Sequence, residues 1–141
     1  MNCVKKNIFD INPKVLSKCI YKNKKVLARV YSVYDGDTIS IIFDHSDDFV
    51  KYNCRILGID CPEIRAKNKK EKLHAINARN FLREHILEKI INIEIIEFDK
   101  YGRLLINAYL PDSGKKISDL LIDNQFAVEY TGGKRGEWIY I

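Results

Sequence analysis

The feature that most restricts the fold of this chain is a series of short runs rich in branched and aromatic residues, separated by turn sequences. Such runs are typical of β-strands. They cover residues 26–33, 38–43, 50–59, 90–98 and 103–110. An Asp-Gly step joins the first two runs, which is a strong hairpin signal. Because five strands of this length leave exposed edges unless the sheet closes, the pattern favours a barrel.

Helical periodicity appears between the third and fourth of these runs. Within residues 67–87 an apolar stripe repeats at helical spacing, made of Ala75, Ala78, Leu82 and Ile86. A second, shorter helix is predicted over residues 117–124. The order β-β-β-α-β-β-α predicts an α+β, mainly β fold, a five-stranded OB-type Greek-key barrel with two to three packed helices. An open α+β sheet is the alternative.

The chain of 141 residues is large enough to bury one hydrophobic core. Residues 1–25 differ in texture from the remainder, so we expect an N-terminal extension, followed by the barrel domain over 26–141. Asn12 followed by Pro13 resembles a helix start. A short helix is therefore predicted over residues 13–21.

The charge of the chain favours a polyanionic partner. Lys and Arg number 24 against 19 Asp and Glu, a net charge of +5, which attracts nucleic acid by counterion release. No apolar run has the length of a transmembrane helix or a signal peptide, so we expect a protein inside the cell, away from membranes. We also expect a monomer. The four cysteines form no C-x-x-C pair, which favours reduced thiols over zinc.

A chemically informative stretch runs from Cys54 to Glu63. Arg55 lies among apolar residues, where a charge is costly unless it faces an anion. Asp60 and Glu63 bracket a Cys-Pro step that ends the strand. A guanidinium beside two carboxylates suits metal-assisted attack on a phosphodiester, whereas a surface ion pair beside an ordinary turn is the alternative.

Two hairpin turns carry further charges. In Asp35-Gly36-Asp37-Thr38, Asp37 follows the turn and should project from the barrel rim, as an oxygen ligand of a hard cation would. The hydroxyl of Thr38 could steady that carboxylate. In the turn over residues 99–103, Arg103 begins an apolar run and supplies a second cation. Two arginines and three carboxylates on one rim would suit phosphoryl transfer, although each turn alone is an ordinary hairpin.

The third strand presents a geometric condition for such a site. Arg55 and Asp60 are five residues apart, so a regular strand would direct them to opposite faces. A shared site therefore requires a bulge or bend between them. Gly58 is the natural position, and we predict an irregularity there.

Taken in order, the Asp-Gly-Asp-Thr turn, the Arg-x4-Asp-x-Pro-Glu strand end and the Asp-Lys-Tyr-Gly-Arg hairpin resemble the staphylococcal nuclease (thermonuclease) family. The resemblance covers about residues 26–130. It implies an OB-type barrel and calcium-dependent hydrolysis of DNA and RNA that leaves 3′-phosphate ends.

The resemblance also implies roles for individual residues. Asp37 and Asp60 match the family's calcium-binding carboxylates. The residues implied in catalysis and in the remaining contacts are Cys61 through its backbone carbonyl, Glu63 as general base, Arg55 and Arg103 as phosphate-binding arginines, and Lys100, Tyr101 and Tyr130 in the nucleotide pocket. Cys61 stands where the family usually has threonine, which matters little if only the carbonyl binds metal.

Other readings of the sequence stay open. A silent OB module could bind nucleic acid or a protein partner without cutting it. His45, His74 and His85 could suggest a histidine-based site, although helix-surface histidines are commoner. The basic loop over residues 132–135 could cradle a phosphate or be a flexible connection.

Overall fold

In a computed structural model of the chain, residues 7–16, 19–133 and 138 are described. The strands are β1 (Lys25–Asp35), β2 (Thr38–His45), β3 (Asp48–Ile56), β4 (Ile59–Asp60), β5 (Ile90–Phe98), β6 (Leu104–Tyr109) and β7 (Val128–Glu129). The α-helices of this part of the chain are α1 (Lys69–Ile86) and α2 (Ile117–Asp123).

Five of the strands form a closed barrel in the order β1-β2-β3-β6-β5. The β3–β6 pair is parallel, and the other neighbours in the barrel run antiparallel. The predicted OB-type barrel is therefore confirmed and the open sheet is wrong. Closure pairs every strand of the barrel on both sides, which removes the exposed edges that the sequence implied.

Alternating side chains fill the barrel interior. In β2, Ile39, Ile41 and Phe43 are buried, and the residues between them are partly exposed. Ile91, Ile93 and Ile95 repeat this pattern in β5. A period of two with one buried face is what a strand in a barrel wall requires.

Helix α1 covers the barrel beside β1. Its N-cap is Asn68, whose side-chain oxygen accepts hydrogen bonds from the backbone N–H of Lys70 at 2.8 Å and of Glu71 at 3.3 Å. The predicted apolar stripe is confirmed, since all of its members are buried: Ala75, Ala78, Leu82 and Ile86.

The third predicted strand is interrupted as expected. Strand β3 ends at Ile56, and Gly58 adopts a φ of +84°, a conformation that glycine tolerates because it has no Cβ. Beyond this bend Ile59–Asp60 leaves the barrel wall and pairs with Val128–Glu129 as a separate two-stranded sheet. The prediction of an irregularity near Gly58 is confirmed, and that of one strand through residue 59 is wrong.

The predicted helix over residues 13–21 is also wrong in the described part of that segment. Only a 3-10 turn over Pro13–Val15 forms, capped by Asn12, and residues 20–23 form another turn. The apolar spacing does not bury one face, because Val15 and Leu16 are exposed. Residues 17–18 lie outside the described residues.

The end of this segment nevertheless joins the core. Tyr21 is 3% exposed and packs edge-on against Phe43, Tyr52 and Phe98. Its hydroxyl lies 3.2 Å from that of Tyr52. The N-terminal segment therefore packs on the barrel through Tyr21, while the boundary at residue 25 stays a prediction.

Cys19, Cys54 and Cys61 are buried and form no disulfide bond, as expected for small core residues. Cys3 lies outside the described residues. Among the described helices, none combines the length and apolarity needed to cross a bilayer.

Candidate active site at the barrel rim

The charged residues singled out in the sequence meet in one cleft of about 560 Å³ at the barrel rim. It is lined by Tyr34, Asp35, Asp37, Thr38, Arg55, Asp60, Cys61, Glu63, Ile64, Arg65, Arg103 and Tyr130. The turn after β1, the end of β3, the loop after β4, the start of β6 and the segment after β7 all contribute. The convergence predicted for three carboxylates and two arginines is therefore what the fold produces.

Asp37 is held in place by its neighbours in the cleft. The hydroxyl of Thr38 donates to its Oδ1 at 3.1 Å, and the backbone N–H of Cys61 donates to its Oδ2 at 3.2 Å. The backbone N–H of Asp37 donates to the carboxylate of Asp35 at 3.1 Å. These contacts connect the first hairpin to the loop that carries Glu63.

Arg55 binds both carboxylates and the bend in its own chain. Its Nη1 lies 2.9 Å from Oδ2 of Asp37, and its Nη2 lies 4.0 Å from Oδ1 of Asp60. The same two nitrogens donate to the carbonyls of Ile56 at 3.1 Å and Ile59 at 3.0 Å. Because the chain bends at Gly58, Arg55 and Asp60 face one cleft despite their odd spacing.

Glu63 follows the buried Cys61-Pro62 step and is itself exposed at the mouth of the cleft. Asp60, in contrast, is only 6% exposed. The loop thus presents one buried and one accessible carboxylate. An accessible carboxylate can contact water, whereas ionisation of a buried one is costly unless it is paired or coordinates a metal.

Arg103 is oriented by Asp99, four residues earlier. Its Nε lies 2.7 Å from Oδ2 of Asp99, while Oδ1 accepts the backbone N–H of Tyr101 at 2.8 Å and of Arg103 at 2.9 Å. Burial alone would raise the pKa of Asp99, but these donors outweigh it and hold the pKa below its usual value. Asp99 is therefore a charged anchor that fixes Arg103 at the rim.

The remaining predicted substrate residues lie in a neighbouring cavity of about 480 Å³. Lys100 and Tyr101 line this second cavity and not the first, while Arg55, Arg103 and Tyr130 line both. Leu57 and Leu105 give it apolar walls. The nitrogen of Lys100 lies 5.2 Å from the centre of the Tyr101 ring.

The oxygen-rich side of the first cleft fits a hard divalent cation. Asp37 and Asp60, 8% and 6% exposed, are the two charged residues found buried in the described part of the chain. Arg55 lies close to both carboxylates. Two carboxylates with the carbonyl of Cys61 are oxygen donors that Ca²⁺ accepts. No cluster of three or more His, Cys, Asp or Glu side chains with metal-binding geometry occurs among the described residues, so water would have to complete the coordination.

The electrostatics of Asp37 agree with a site built for a cation. Burial raises the pKa of Asp37 to about 7, with the neighbouring Asp35 adding to the effect and Arg55 opposing it. A bound cation would favour the ionised form that burial disfavours. Burial likewise raises the pKa of the Cys61 thiol, so Cys61 stays protonated and is a poor thiolate ligand.

The sequence patterns do not indicate several residues of the cleft. Tyr34 and Asp35 lie in an ordinary turn sequence, and the hairpin sequence alone does not show that Asp99 binds Arg103. Ile64 and Arg65 belong to none of the motifs. A usable signal was present for Asp99, since Asp and Arg at the two ends of a tight hairpin can pair across it. The loop over residues 132–135 is described only to Gly133.

Fold and cleft together define an OB-type barrel protein with an acidic and cationic cleft at its rim. The family model described as "Staphylococcal nuclease homologue" matches residues 53–137, more than half of the chain. The chain belongs to this family. The turn that carries Asp37 precedes the matched segment and joins the site through the contacts given above.

Named relatives agree with this assignment. The chain is 35% identical to a thermonuclease of Staphylococcus intermedius, covering 59% of this chain and 48% of the relative. It is 32% identical to endonuclease YncB of Bacillus subtilis (strain 168), covering 75% and 50%. A probable endonuclease, LCL3, of Yarrowia lipolytica is 22% identical over 86% of this chain and 63% of the relative. The chain spans about half the length of the first two.

Proposed function

We propose that this chain is a calcium-dependent nuclease that hydrolyses phosphodiester bonds of DNA, RNA or both and leaves 3′-phosphate ends. The observation that carries the proposal is the single cleft in which Asp37, Asp60, Glu63, Arg55 and Arg103 meet. A silent binding module would not require this set of charges. Membership of a family whose named relatives are nucleases supports the same reading. Because one chain supplies all five residues, a monomer is sufficient.

Asp37, Asp60 and the carbonyl of Cys61 would hold the calcium ion. When bound, the ion supplies a Lewis acid that polarises the phosphate and neutralises developing charge. Thr38 and the backbone N–H of Cys61 orient the carboxylate of Asp37. Such contacts fix the direction in which a ligand oxygen points.

Glu63 is the general base of the proposed reaction. Its exposed position at the mouth of the cleft lets it accept a proton from a water molecule that attacks phosphorus. The buried carboxylates are less suited to this task, because Asp37 already accepts hydrogen bonds from Thr38 and Cys61.

Arg103 and Arg55 stabilise the charge that develops on the phosphate. Asp99 accepts a hydrogen bond from Nε of Arg103. Arg103 thereby stays in the lining of the cleft, where a phosphate would bind. The guanidinium of Arg55 already binds the carboxylate of Asp37 and the carbonyls of Ile56 and Ile59. We therefore assign the larger share of transition-state stabilisation to Arg103, and a positioning role as well as a charge role to Arg55.

The test is cleavage of labelled single-stranded and duplex DNA and RNA in calcium, magnesium or chelator, with analysis of the new ends. We expect cleavage in calcium, little in chelator, and 3′-phosphate products. Magnesium should support less turnover because its strict octahedral geometry would place the attacking water differently. Binding without cleavage of any substrate in calcium would favour the silent module instead.

A further inference from the structure

Two residues in the lining of the cleft have no role in the reaction proposed above. They are Tyr34, near the end of β1, and Arg65, in the segment between β4 and α1. The apolar second cavity lies on the other side of Arg55 and Arg103. If the scissile phosphate of a nucleic acid strand lies at Arg55 and Arg103, the nucleotide on one side of it can therefore reach Tyr34 and Arg65. The nucleotide on the other side can reach the second cavity.

Tyr34 is an exposed aromatic residue without an internal partner. It is 47% exposed, and no hydrogen bond of its hydroxyl or contact of its ring with another ring occurs within the described chain. Tyr34 therefore does not contribute to the hydrophobic core as a buried tyrosine would. Its ring face is available to an unpaired base, and stacking of a base on an aromatic ring is sequence-tolerant.

The backbone beside Tyr34 is held by an arginine of α1. Arg83 donates from Nη2 at 3.0 Å and from Nε at 3.3 Å to the carbonyl of Val33. The chain directly before Tyr34 is therefore anchored to α1 at the carbonyl of Val33.

Arg65 is a second residue of the cleft lining that is available to a ligand. It is exposed and makes no ion pair with any described residue. Exposed lysines follow it just before α1 and in its first turn: Lys67, Lys69, Lys70 and Lys72. Arg65 thus adds to the lining of the cleft an exposed cation that forms no ion pair with a described carboxylate.

We propose that Tyr34 and Arg65 form a subsite for the nucleotide next to the scissile phosphate, and that this subsite accepts an unpaired base. Tyr34 stacks on an unpaired base and Arg65 binds the adjacent phosphate. The inference rests on the proposed function for its biological meaning, because the scissile phosphate defines the subsite. Both residues are positioning residues, since neither touches the reacting atoms.

Equilibrium binding tests the subsite separately from turnover. Fluorescein-labelled dT12 is titrated with protein in chelator, where no cleavage is expected, and binding is followed by anisotropy. Tyr34→Ala should weaken binding by about tenfold, whereas Tyr34→Phe should bind like the unmodified chain. Arg65→Ala should weaken binding and reduce the slope of log K against log salt by about 0.7, the value for one phosphate contact on a single strand.

Matched controls come from the same barrel. Phe49 is an exposed aromatic residue six positions from Arg55 along β3, about 20 Å at the rise of a strand. Lys25 is an exposed cation at the opposite end of β1 from Asp35. Phe49→Ala and Lys25→Ala should both leave the affinity for dT12 nearly unchanged.

Turnover and a duplex complete the design. In calcium, Tyr34→Ala should raise KM for dT12 but leave kcat on a nucleoside aryl phosphodiester, which cannot reach Tyr34, within twofold. On a duplex its penalty should vanish, because paired bases cannot stack on it. The subsite proposal would be overturned if Tyr34→Ala and Phe49→Ala bound dT12 equally well. It would also be overturned if Tyr34→Ala raised KM for a duplex as much as for dT12. Tyr34-dependent binding without cleavage by any form would retain it and refute the nuclease.

Discussion

Arg55 and Asp37 form an ion pair across the barrel rim, with Nη1 and Oδ2 2.9 Å apart and side-chain exposures of 19% and 11%. The same guanidinium bonds the carbonyls of Ile56 and Ile59 on either side of the bend at Gly58. Arg55 therefore stabilises the loop that positions Asp60 and also contributes charge to the cleft. Its loss should affect stability and catalysis together.

Replacement of Arg55 by alanine should destabilise the fold by about 3–5 kcal/mol, because it leaves a buried carboxylate without its cation. Arg103 lies nearer the surface, with a side-chain exposure of 36%, so Arg103→Ala should cost about 1 kcal/mol or less. Urea unfolding measures the first quantity, and turnover should fall in both variants. If Arg55→Ala and Arg103→Ala lowered the free energy of unfolding by the same small amount, Arg55 would not stabilise the loop as described.

The stability of the metal-free protein should depend on pH through Asp37. Its pKa is raised from 3.8 to about 7 by burial and by Asp35, against the effect of Arg55. Between these values the folded state binds a proton that the unfolded state has released, so the free energy of unfolding should fall as pH rises through this window. Urea unfolding in chelator at several pH values measures the slope.

Asp37→Asn supplies the control for that titration. The variant cannot ionise at this position, so its stability should vary less between pH 4 and 7 than that of the unmodified chain. Calcium should stabilise the unmodified chain at pH 8 and have little effect on Asp37→Asn. A slope that is unchanged in Asp37→Asn would show that another group is responsible.

Gly36 is restricted by Cys61 behind the candidate metal site. A Cβ at position 36 would lie 2.7 Å from Sγ and 3.2 Å from Cβ of Cys61. Gly36→Ala should therefore destabilise the fold by about 1–3 kcal/mol. It should also weaken calcium binding, because displacement of Cys61 moves the N–H that holds Asp37. Thermal unfolding with and without calcium measures both effects.

A double-mutant cycle separates this contact from a general effect of alanine. In Gly36→Ala/Cys61→Ala the sulfur is removed, although the Cβ contact at 3.2 Å remains. The double variant should recover part of the stability lost in Gly36→Ala, with a coupling of about 1 kcal/mol. Simple additivity would mean that Cys61 is not the obstruction.

The sequence was informative where local rules decide the structure. The Asp-Gly turn after β1, the alternating isoleucines of β2 and β5 and the stripe on α1 each depend on neighbours within a few positions, and each matches the fold. The bend at Gly58 followed from parity: two groups at an odd offset can share a face only if the strand is broken.

The sequence was less informative where distant contacts decide. Helical spacing over residues 13–21 could not show that no surface would cover Val15 and Leu16, whereas Tyr21 enters a cluster built from β2, β3 and β5. The hydrogen bonds of Arg55 to two carbonyls depend on the bend in the chain. A charge pattern in the sequence therefore does not separate the structural role of Arg55 from its role in the cleft.

The most direct test of the central claim compares the unmodified chain with Glu63→Gln. Turnover of labelled single-stranded DNA is measured in calcium, and calcium-dependent thermal stabilisation shows whether the metal site survives. We expect Glu63→Gln to retain the stabilisation and to lose about two to three decades of turnover, as general base catalysis implies. Near-normal turnover by a folded, calcium-stabilised Glu63→Gln would contradict the account.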